Sequence, residues 1–94
     1  MLQNYPNPFN TATRIRFALP RAAEVEVKIF DVAGRELNEL ANGERTAGNY
    51  EVIWNGRGRN GEELSSGVYL VWLRYRTERQ GIWSQLLQRV LLVK

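Results

Sequence analysis

The sequence predicts an all-β protein, an antiparallel β-sandwich of about seven short strands. Several short segments alternate apolar and polar side chains, which is the period of a half-buried strand. Clusters of Gly, Pro, Asn and Ser separate these segments, and no apolar run approaches the roughly 20 residues of a membrane-spanning helix. A chain of 94 residues suits one domain with a modest two-layer core. We therefore expect residues 1–94 to form a single domain.

Composition narrows the classes of function. Hydrophobic residues make up 44% of the chain, too many for a disordered protein, and both Cys and His are absent. Their absence removes disulfides, thiolate chemistry, the usual zinc sites and histidine acid–base relays. The net charge is +3, and its arginines are scattered along the chain. This pattern favours ordinary surface charge, so we expect no nucleic-acid partner, no cofactor, no metal and no catalytic residues.

The chain begins with a segment rich in Pro and Asn. Two prolines within Asn4–Asn10 forbid a helix and disfavour a central strand, because proline has no N–H and restricts the residue before it. We expect an extended arm over residues 1–12, with Tyr5 and Phe9 as its apolar anchors. No amino-terminal signal peptide is visible, so an exported protein carrying this chain would be longer.

The next two segments are amphipathic strands. Thr13–Leu19 and Glu24–Asp31 both alternate strictly, and Pro20 ends the first of them. Arg14 and Arg16 are expected to face the glutamates of the second segment. The predicted inward residues are Ile15, Phe17, Leu19, Val25, Val27 and Ile29.

A turn follows at residues 31–35. Asp31 can accept hydrogen bonds from nearby backbone N–H groups, and Gly34 supplies a positive φ. Glu36–Leu40 fits either a short strand or a single helical turn, and the sequence does not decide between them. Ala41–Gly48 is polar and contains two glycines, so it is predicted to be a loop.

The strongest strand signal lies in the second half of the chain. Tyr50–Trp54 is a strand with Tyr50, Val52 and Trp54 inward, and the Gly-rich stretch Asn55–Glu63 is a loop. Ser65–Tyr75 then combines β-branched and aromatic residues. Its inward face is predicted to contain Tyr69, Val71, Leu73 and Tyr75, and its outward face Val68, Leu70, Trp72 and Arg74.

The last segment, Ile82–Lys94, has a mixed pattern. Leu86, Leu87, Val90 and Leu91 fit helical spacing, whereas four consecutive apolar residues from position 90 favour a short buried strand. We predict a strand. The number of strands and the spacing of the turns are then typical of an immunoglobulin-like sandwich.

No group of residues has the pattern of a catalytic or ligand site. Glu62 and Glu63 are adjacent, so their carboxylates point apart. The Gly-rich loop lacks the Lys-Ser/Thr pair and the following helix of a phosphate-binding loop. Calcium binding through Asn55 and Asn60 would need carboxylates that the spacing does not provide.

Outward aromatic residues are the best candidates for an interaction surface. Leu70, Trp72 and Trp83 lie off the predicted core face, where they could contact a protein, stack on a sugar or be covered by the terminal segment. Whether Trp72 mediates homodimerisation is left open. A nucleic-acid surface would require four arginines to meet beside Trp72, which the small net charge disfavours; they are Arg14, Arg16, Arg74 and Arg76.

Several motifs together resemble a known family, the carboxy-terminal sorting domains of the bacterial type IX (Por) secretion system. The resemblance covers nearly the whole chain, and the immunoglobulin-like domain of flagellar hook-capping proteins is similar over its middle. The matching segments are Asn4–Asn10, Phe30–Arg35, Gly48–Gly56, Leu64–Tyr69 and Arg89–Lys94. The motif residues expected to shape the fold are Pro6, Asn7, Pro8, Phe9, Gly48, Tyr50, Trp54, Gly56, Gly67 and Tyr69.

The resemblance implies a non-catalytic export signal at the end of a larger enzyme or adhesin. An outer-membrane translocon would recognise the domain, and a sortase-like peptidase would then remove it. The parent would pass through the periplasm and be anchored at the cell surface or released. Lys94 directly follows the apolar box, as a native terminus would. The predicted recognition residues are Arg89, Val90, Leu91, Leu92, Val93 and Lys94.

Trp72 and Trp83 differ from what the family pattern leads us to expect. Trp72 stands where the family usually has a polar or basic residue, and Trp83 makes the last hairpin unusually apolar. A carbohydrate-binding or structural accessory module is therefore the alternative function. Tyr69 follows Gly67 at the start of a strand, where its hydroxyl could bond to upstream backbone as a tyrosine corner does.

Overall fold

Two antiparallel sheets pack face to face in the computed structural model, which describes residues 2–94. The strands are β1 (Leu2–Tyr5), β2 (Thr13–Leu19), β3 (Ala23–Asp31), β4 (Glu36–Arg45), β5 (Gly48–Trp54), β6 (Gly67–Arg76) and β7 (Ser84–Leu92). A three-stranded sheet has the order β1-β2-β5, and a four-stranded sheet has the order β4-β3-β6-β7. The predicted all-β sandwich is confirmed.

The core lies between the sheets and is built from alternate residues of their strands. Each inward residue predicted for β2 and β3 is buried, and Trp54 fills the end of β5. Because successive side chains on a strand point to opposite faces, this alternation fixes which face of each sheet is apolar. The largest fully buried side chains are Trp54, Ile15, Ile29, Leu73, Leu92, Val25, Val27, Val71 and Val90.

Strand β4 differs from its prediction. The part expected to be a loop continues the strand as far as Arg45. Its pairing with β3 shifts register twice, and the extra residues at the shifts are Leu37 and Leu40. Each extra residue breaks the period of two, so the apolar side chains of β4 do not alternate along the sequence. Leu37 and Leu40 still pack against the core.

The expected pairing of β2 with β3 is wrong. After Pro20 the chain crosses to the other sheet, so β2 pairs with β1 and β5. Arg16 therefore bonds to Glu51 on β5, at 2.9 Å between Nε and Oε1. The two glutamates of β3 instead face arginines of β6, each at 3.0 Å; the pairs are Glu24–Arg76 and Glu26–Arg74.

The turn after β3 follows its prediction. The Asp31 Oδ1 atom accepts hydrogen bonds from the backbone N–H groups of Ala33 at 2.9 Å and Arg35 at 3.0 Å. Gly34 has a φ of +89°, which a residue with a Cβ adopts only with strain. The backbone bond from Arg35 is the largest cause that lowers the pKa of Asp31.

The two ends of the chain lie next to each other. Residues 2–5 of the amino-terminal arm form β1, an edge strand on β2. Phe9 is buried with 3% of its surface exposed, but Tyr5 is 78% exposed, so its predicted anchoring role is wrong. The terminal segment is strand β7, as predicted, and it pairs along its whole length with β6.

The part of the chain that the structure describes, residues 2–94, contains no candidate for a membrane-spanning helix.

Candidate interaction surface at the terminal strand

Motif residues that are far apart in the sequence meet in one aromatic cluster, formed by Phe9, Trp54 and Tyr69. The ring centres of Phe9 and Trp54 are 5.4 Å apart, and those of Trp54 and Tyr69 are 5.5 Å apart. The indole N–H of Trp54 donates to the Arg57 carbonyl at 2.9 Å. The Tyr69 hydroxyl donates to the Ser65 carbonyl at 2.6 Å, which is the predicted tyrosine-corner bond.

The edge of β7 is covered by residues 6–9, here called the 6–9 segment. The Phe9 N–H donates to the Leu91 carbonyl at 2.9 Å, and the Val93 N–H donates to the Phe9 carbonyl at 2.8 Å. These bonds form a parallel bridge between Phe9 and Leu92. The chain entering the domain is therefore hydrogen-bonded to the chain leaving it.

The side chain of Asn7 completes this pairing. Its Nδ2 atom donates to the Arg89 carbonyl at 3.0 Å, and its Oδ1 accepts from the Leu91 N–H at 2.9 Å. Pro6 and Pro8 have no N–H to contribute, so the carboxamide takes the place of a peptide group in the ladder. The hydroxyl of the fully buried Thr13 holds the start of the segment by donating to the Pro6 carbonyl at 2.8 Å.

The predicted recognition residues 89–94 divide between two environments. Val90 and Leu92 are core residues. Leu91 is 36% exposed and Val93 is 46% exposed. Arg89 and Lys94 are exposed as well, and the Lys94 N–H donates to Ser66 Oγ at 2.9 Å. The exposed residues of this stretch are therefore Arg89, Leu91, Val93 and Lys94.

The outward residues of β6 and β7 form a mostly apolar face that Arg89, opposite Leu70, interrupts. Cross-strand partners share a face of a sheet, so Leu87 lies beside Trp72 and Leu91 beside Val68. Leu87 is 60% exposed. Leu70 and Trp72 are half-buried. The predicted partner residues thus lie on the same outer face as the exposed half of the terminal strand.

Cationic groups lie over both tryptophan rings of this face. The Arg74 guanidinium carbon is 5.2 Å from the centre of the Trp72 ring and 4.2 Å from that of Trp83, and Arg76 is 4.5 Å from Trp83. Trp72 also donates through its Nε1 to Gln85 at 2.9 Å. A sugar that stacked on these rings would compete with the cation–π contacts already present. The arrangement therefore favours a structural role for the two tryptophans.

The structure also places the residues considered for a nucleic-acid surface and for a metal site. Arg14 and Arg16 lie on the three-stranded sheet, whereas Arg74 and Arg76 lie on the other, so the four arginines do not form one basic stripe. Among residues 2–94, no group of three or more acidic or metal-binding side chains is placed to hold a metal ion. In the Gly-rich loop, Arg57 donates from Nη1 to the Gly61 carbonyl at 3.0 Å.

Sequence analysis missed the pairing of Asn7 with the terminal strand. The available signal was the position of Asn7 between Pro6 and Pro8, neither of which has a backbone N–H to donate. An extended segment with two prolines can still pair with a sheet edge if a side-chain amide supplies the missing donor. Gly56 lies beside the Phe9 ring, and its φ of +74° is a backbone conformation that residues with a Cβ rarely adopt. Its place in the motif is explained by this backbone conformation.

A family model described as the FlgD Ig-like domain matches residues 6–78. The chain belongs to this family. The fold also resembles that of FlgD from P. aeruginosa, with a TM-score of 0.65 and 23% identity. That match covers 85% of this chain and 61% of the other.

Two further solved structures resemble this chain, both from Porphyromonas gingivalis. Dimeric latent PorU matches 98% of the chain with a TM-score of 0.77 and 19% identity. PorZ, described as an essential bacterial surface component of the type-IX secretion system, matches 99% with a TM-score of 0.66 and 28% identity. The domain corresponds to only 9% of the PorU chain and 11% of the PorZ chain. No curated protein matches its sequence significantly.

Proposed function

We propose that the chain is a non-catalytic secretion domain at the carboxyl end of a larger exported protein. The supporting observation is its 28% identity, over 99% of its length, to a segment of a protein described as a type-IX secretion component. In this proposal the parent protein crosses the periplasm, and the domain directs it through the outer-membrane translocon. A sortase-like peptidase then removes the domain, and the parent remains at the cell surface or outside the cell.

The structure suggests how such a signal would be read. Residues 89–92 belong to strand β7, and Val93 and Lys94 follow it directly, so the translocon would contact a folded surface. On that surface Leu91 and Val93 are apolar side chains beside the cations Arg89 and Lys94. Interfaces depend on a few such anchors in a central patch. The outward residues of β6, including Leu70 and Trp72, would extend this contact area.

The test is export of a reporter fused to residues 2–94 in a bacterium with an active type IX system. Deleting residues 90–94 is a poor control, because it removes the core residues Val90 and Leu92 and would unfold the domain. Leu91→Ser is better, since that side chain is partly exposed. Ile53→Ser on β5 is the matched control, because Ile53 is 60% exposed on the other sheet.

We expect Leu91→Ser to lower surface delivery about tenfold, the effect of losing one good apolar anchor. Ile53→Ser should be delivered as the unchanged domain is. Circular dichroism of both purified variants establishes that they fold. Equal delivery of both variants would refute recognition through the terminal strand. Periplasmic retention of the unchanged fusion in folded form would refute the export role itself and favour a structural accessory module.

A further inference from the structure

Residues 84–88, in the first half of strand β7, form a sheet edge with which no other segment of residues 2–94 pairs; it is called the open edge here. We infer that two copies of the chain associate by pairing their open edges, antiparallel and about a two-fold axis. The partner of this surface is thus a second copy of the same chain. The inference does not depend on the proposed export role, because it rests on the folded domain alone.

Backbone groups of the open edge point away from β6. In an antiparallel ladder, the N–H and C=O groups of successive residues point to opposite sides of the strand. Both groups of Leu91 bond to the 6–9 segment, so they point away from β6, and those of Leu87 and Gln85 do the same. The 6–9 segment bonds only from Arg89 onwards, and β1 pairs with β2 in the other sheet. Among residues 2–94, no segment bonds to the outward groups of Gln85 and Leu87.

The open edge lacks the features that keep a sheet edge from pairing. Natural edges are protected by charges, prolines, bulges or a covering segment. The sequence of residues 84–88 is Ser-Gln-Leu-Leu-Gln, without charge or proline, and its pairing with β6 is regular. Leu86 is 37% exposed and Leu87 is 60% exposed, on opposite faces of the sheet. A regular, apolar edge of this kind is a pairing site for another strand.

The open edge is complementary to itself when Leu86 lies opposite Leu86 of the second copy. Gln85 of each copy then lies opposite Leu87 of the other, and each such pair exchanges two N–H···O=C bonds. Every outward backbone group of these two residues gains a partner. The two Leu86 side chains form a pair without backbone bonds, which is where side chains on neighbouring strands come closest.

Charge favours the same register. One step beyond the open edge, Arg89 lies opposite Trp83 of the second copy, so a cation meets an aromatic ring. No like charges lie opposite each other over residues 83–89, because Arg89 is the only charged residue in that stretch. The open edge itself is uncharged and therefore selects neither an acidic nor a basic partner segment. A second copy fits it without repulsion.

Pairing at this edge ends at two copies. A two-fold contact uses the same surface in both copies, so it is closed. It joins the two four-stranded sheets into one, and β4 forms both outer edges of the joined sheet. Glutamates and register shifts protect β4 from further pairing. The paired stretch is short, so the dimer belongs with the weak interfaces, which bury less than about 1,200 Å².

The test is sedimentation of the purified 94-residue chain between about 10 μM and about 1 mM, a range in which weak complexes dissociate. We expect the average mass to rise with concentration towards that of a dimer and no further. Leu86→Lys and Leu86→Glu each place like charges opposite each other, so each alone should dimerise about tenfold more weakly. Their equimolar mixture should regain dimerisation, because a lysine then lies opposite a glutamate. Ile53→Lys is the matched control, since Ile53 is 60% exposed on the other sheet and the charge change is the same.

Circular dichroism establishes that each variant folds. A chain that stays monomeric at every concentration would overturn the inference, as would growth beyond a dimer. Equal weakening by Leu86→Lys and Ile53→Lys would show that net charge, and not this edge, controls association. A mixture of the two Leu86 variants that dimerises no better than its components would refute the register.

A second measurement covers the case in which the Leu86 variants lose their fold. In the unchanged chain, hydrogen exchange of the Gln85 and Leu87 amides should slow about tenfold once most of the protein is dimeric, since both amides are then bonded. The Leu91 amide is already bonded to Asn7 within one copy and should exchange at the same rate throughout. Exchange rates at Gln85 and Leu87 that do not depend on concentration would overturn the inference.

Discussion

The two edges of the four-stranded sheet are protected in different ways. Strand β4 carries Glu36, Glu39 and Glu44, and two register shifts interrupt its pairing with β3. Charges and bulges of this kind prevent an edge from pairing with another chain. Strand β7 contains no acidic residue, and its pairing with β6 is regular from Ser84 to Leu92. Its protection over Arg89–Val93 comes from the 6–9 segment, which occupies the backbone groups there.

The difference has a physical consequence for function. The protection of β4 lies in its own charges and bulges and in the Gly-rich loop, whose Arg59 N–H donates to the Leu37 carbonyl at 2.8 Å. The protection of β7 depends on another part of the chain, which is held by a few hydrogen bonds and one buried ring. The β7 edge over Arg89–Val93 is therefore covered by a segment that also contributes the core residue Phe9. This is the edge that carries the proposed recognition residues.

Replacing Phe9 with Ala is the strongest way to break this protection. We expect the free energy of unfolding to fall by about 3–5 kcal/mol, because truncating a buried Phe removes apolar burial and leaves a cavity. Urea unfolding followed by tryptophan fluorescence measures the change. Tyr5→Ala is the control and should change stability by less than about 0.5 kcal/mol, as surface substitutions do. A loss below about 1 kcal/mol for Phe9→Ala would mean that the segment is not held by its ring.

Sequence reasoning was most successful where one physical rule dominates. The inward faces of β2, β3 and β6 follow from strict alternation, and the turn at Asp31 follows from Asx and glycine chemistry. It failed for β4, because the bulges at Leu37 and Leu40 shift its period in a way that only the partner strand reveals. It also failed for the ion pairs of β3, since pairing across a sheet depends on which strands become neighbours.

The candidate site could be predicted only as separate motifs. The resemblance indicated the Pro-Asn-Pro-Phe and terminal segments, but not that they are hydrogen-bonded to each other. That contact joins residues more than eighty positions apart. The cations over Trp72 and Trp83 were equally hidden, because Arg74 reaches both rings only once β6 and β7 are paired. Long-range contacts of this kind have no local signature.

Replacing Glu44 tests whether the charges on β4 protect that edge from pairing with another chain. We expect Glu44→Val to leave the free energy of unfolding within about 0.5 kcal/mol of its original value, because Glu44 is exposed and lies opposite Glu24. Aggregation measured by light scattering should nevertheless increase, since the edge loses a charge and gains a β-branched side chain. Glu78→Val, in a turn, changes net charge equally and is the control. Equal aggregation of the two variants would mean that net charge alone protects β4.

Low pH should weaken the stabilising contacts of the β4 edge but not those of the β7 edge. Lys28 donates to Glu36 at 3.1 Å, and this bond is the main cause that lowers the pKa of Glu36, with a further contribution from Arg59. Since the native pKa lies below the unfolded value of about 4.3, the native state binds fewer protons. The stabilisation is complete above the unfolded pKa and is lost as pH falls through the native pKa. The 6–9 segment contains no titratable side chain.

Urea unfolding between pH 6 and pH 3 measures this contrast. The stability difference between the original protein and Glu36→Gln should shrink as pH falls below about 4.5, because protonation removes the charge that Gln lacks. The difference between the original protein and Phe9→Ala should stay constant over the same range. A Glu36→Gln difference that does not depend on pH would contradict the ion pair on β4. A Phe9→Ala difference that falls with pH would mean that charge, and not packing, protects the edge that carries the terminal strand.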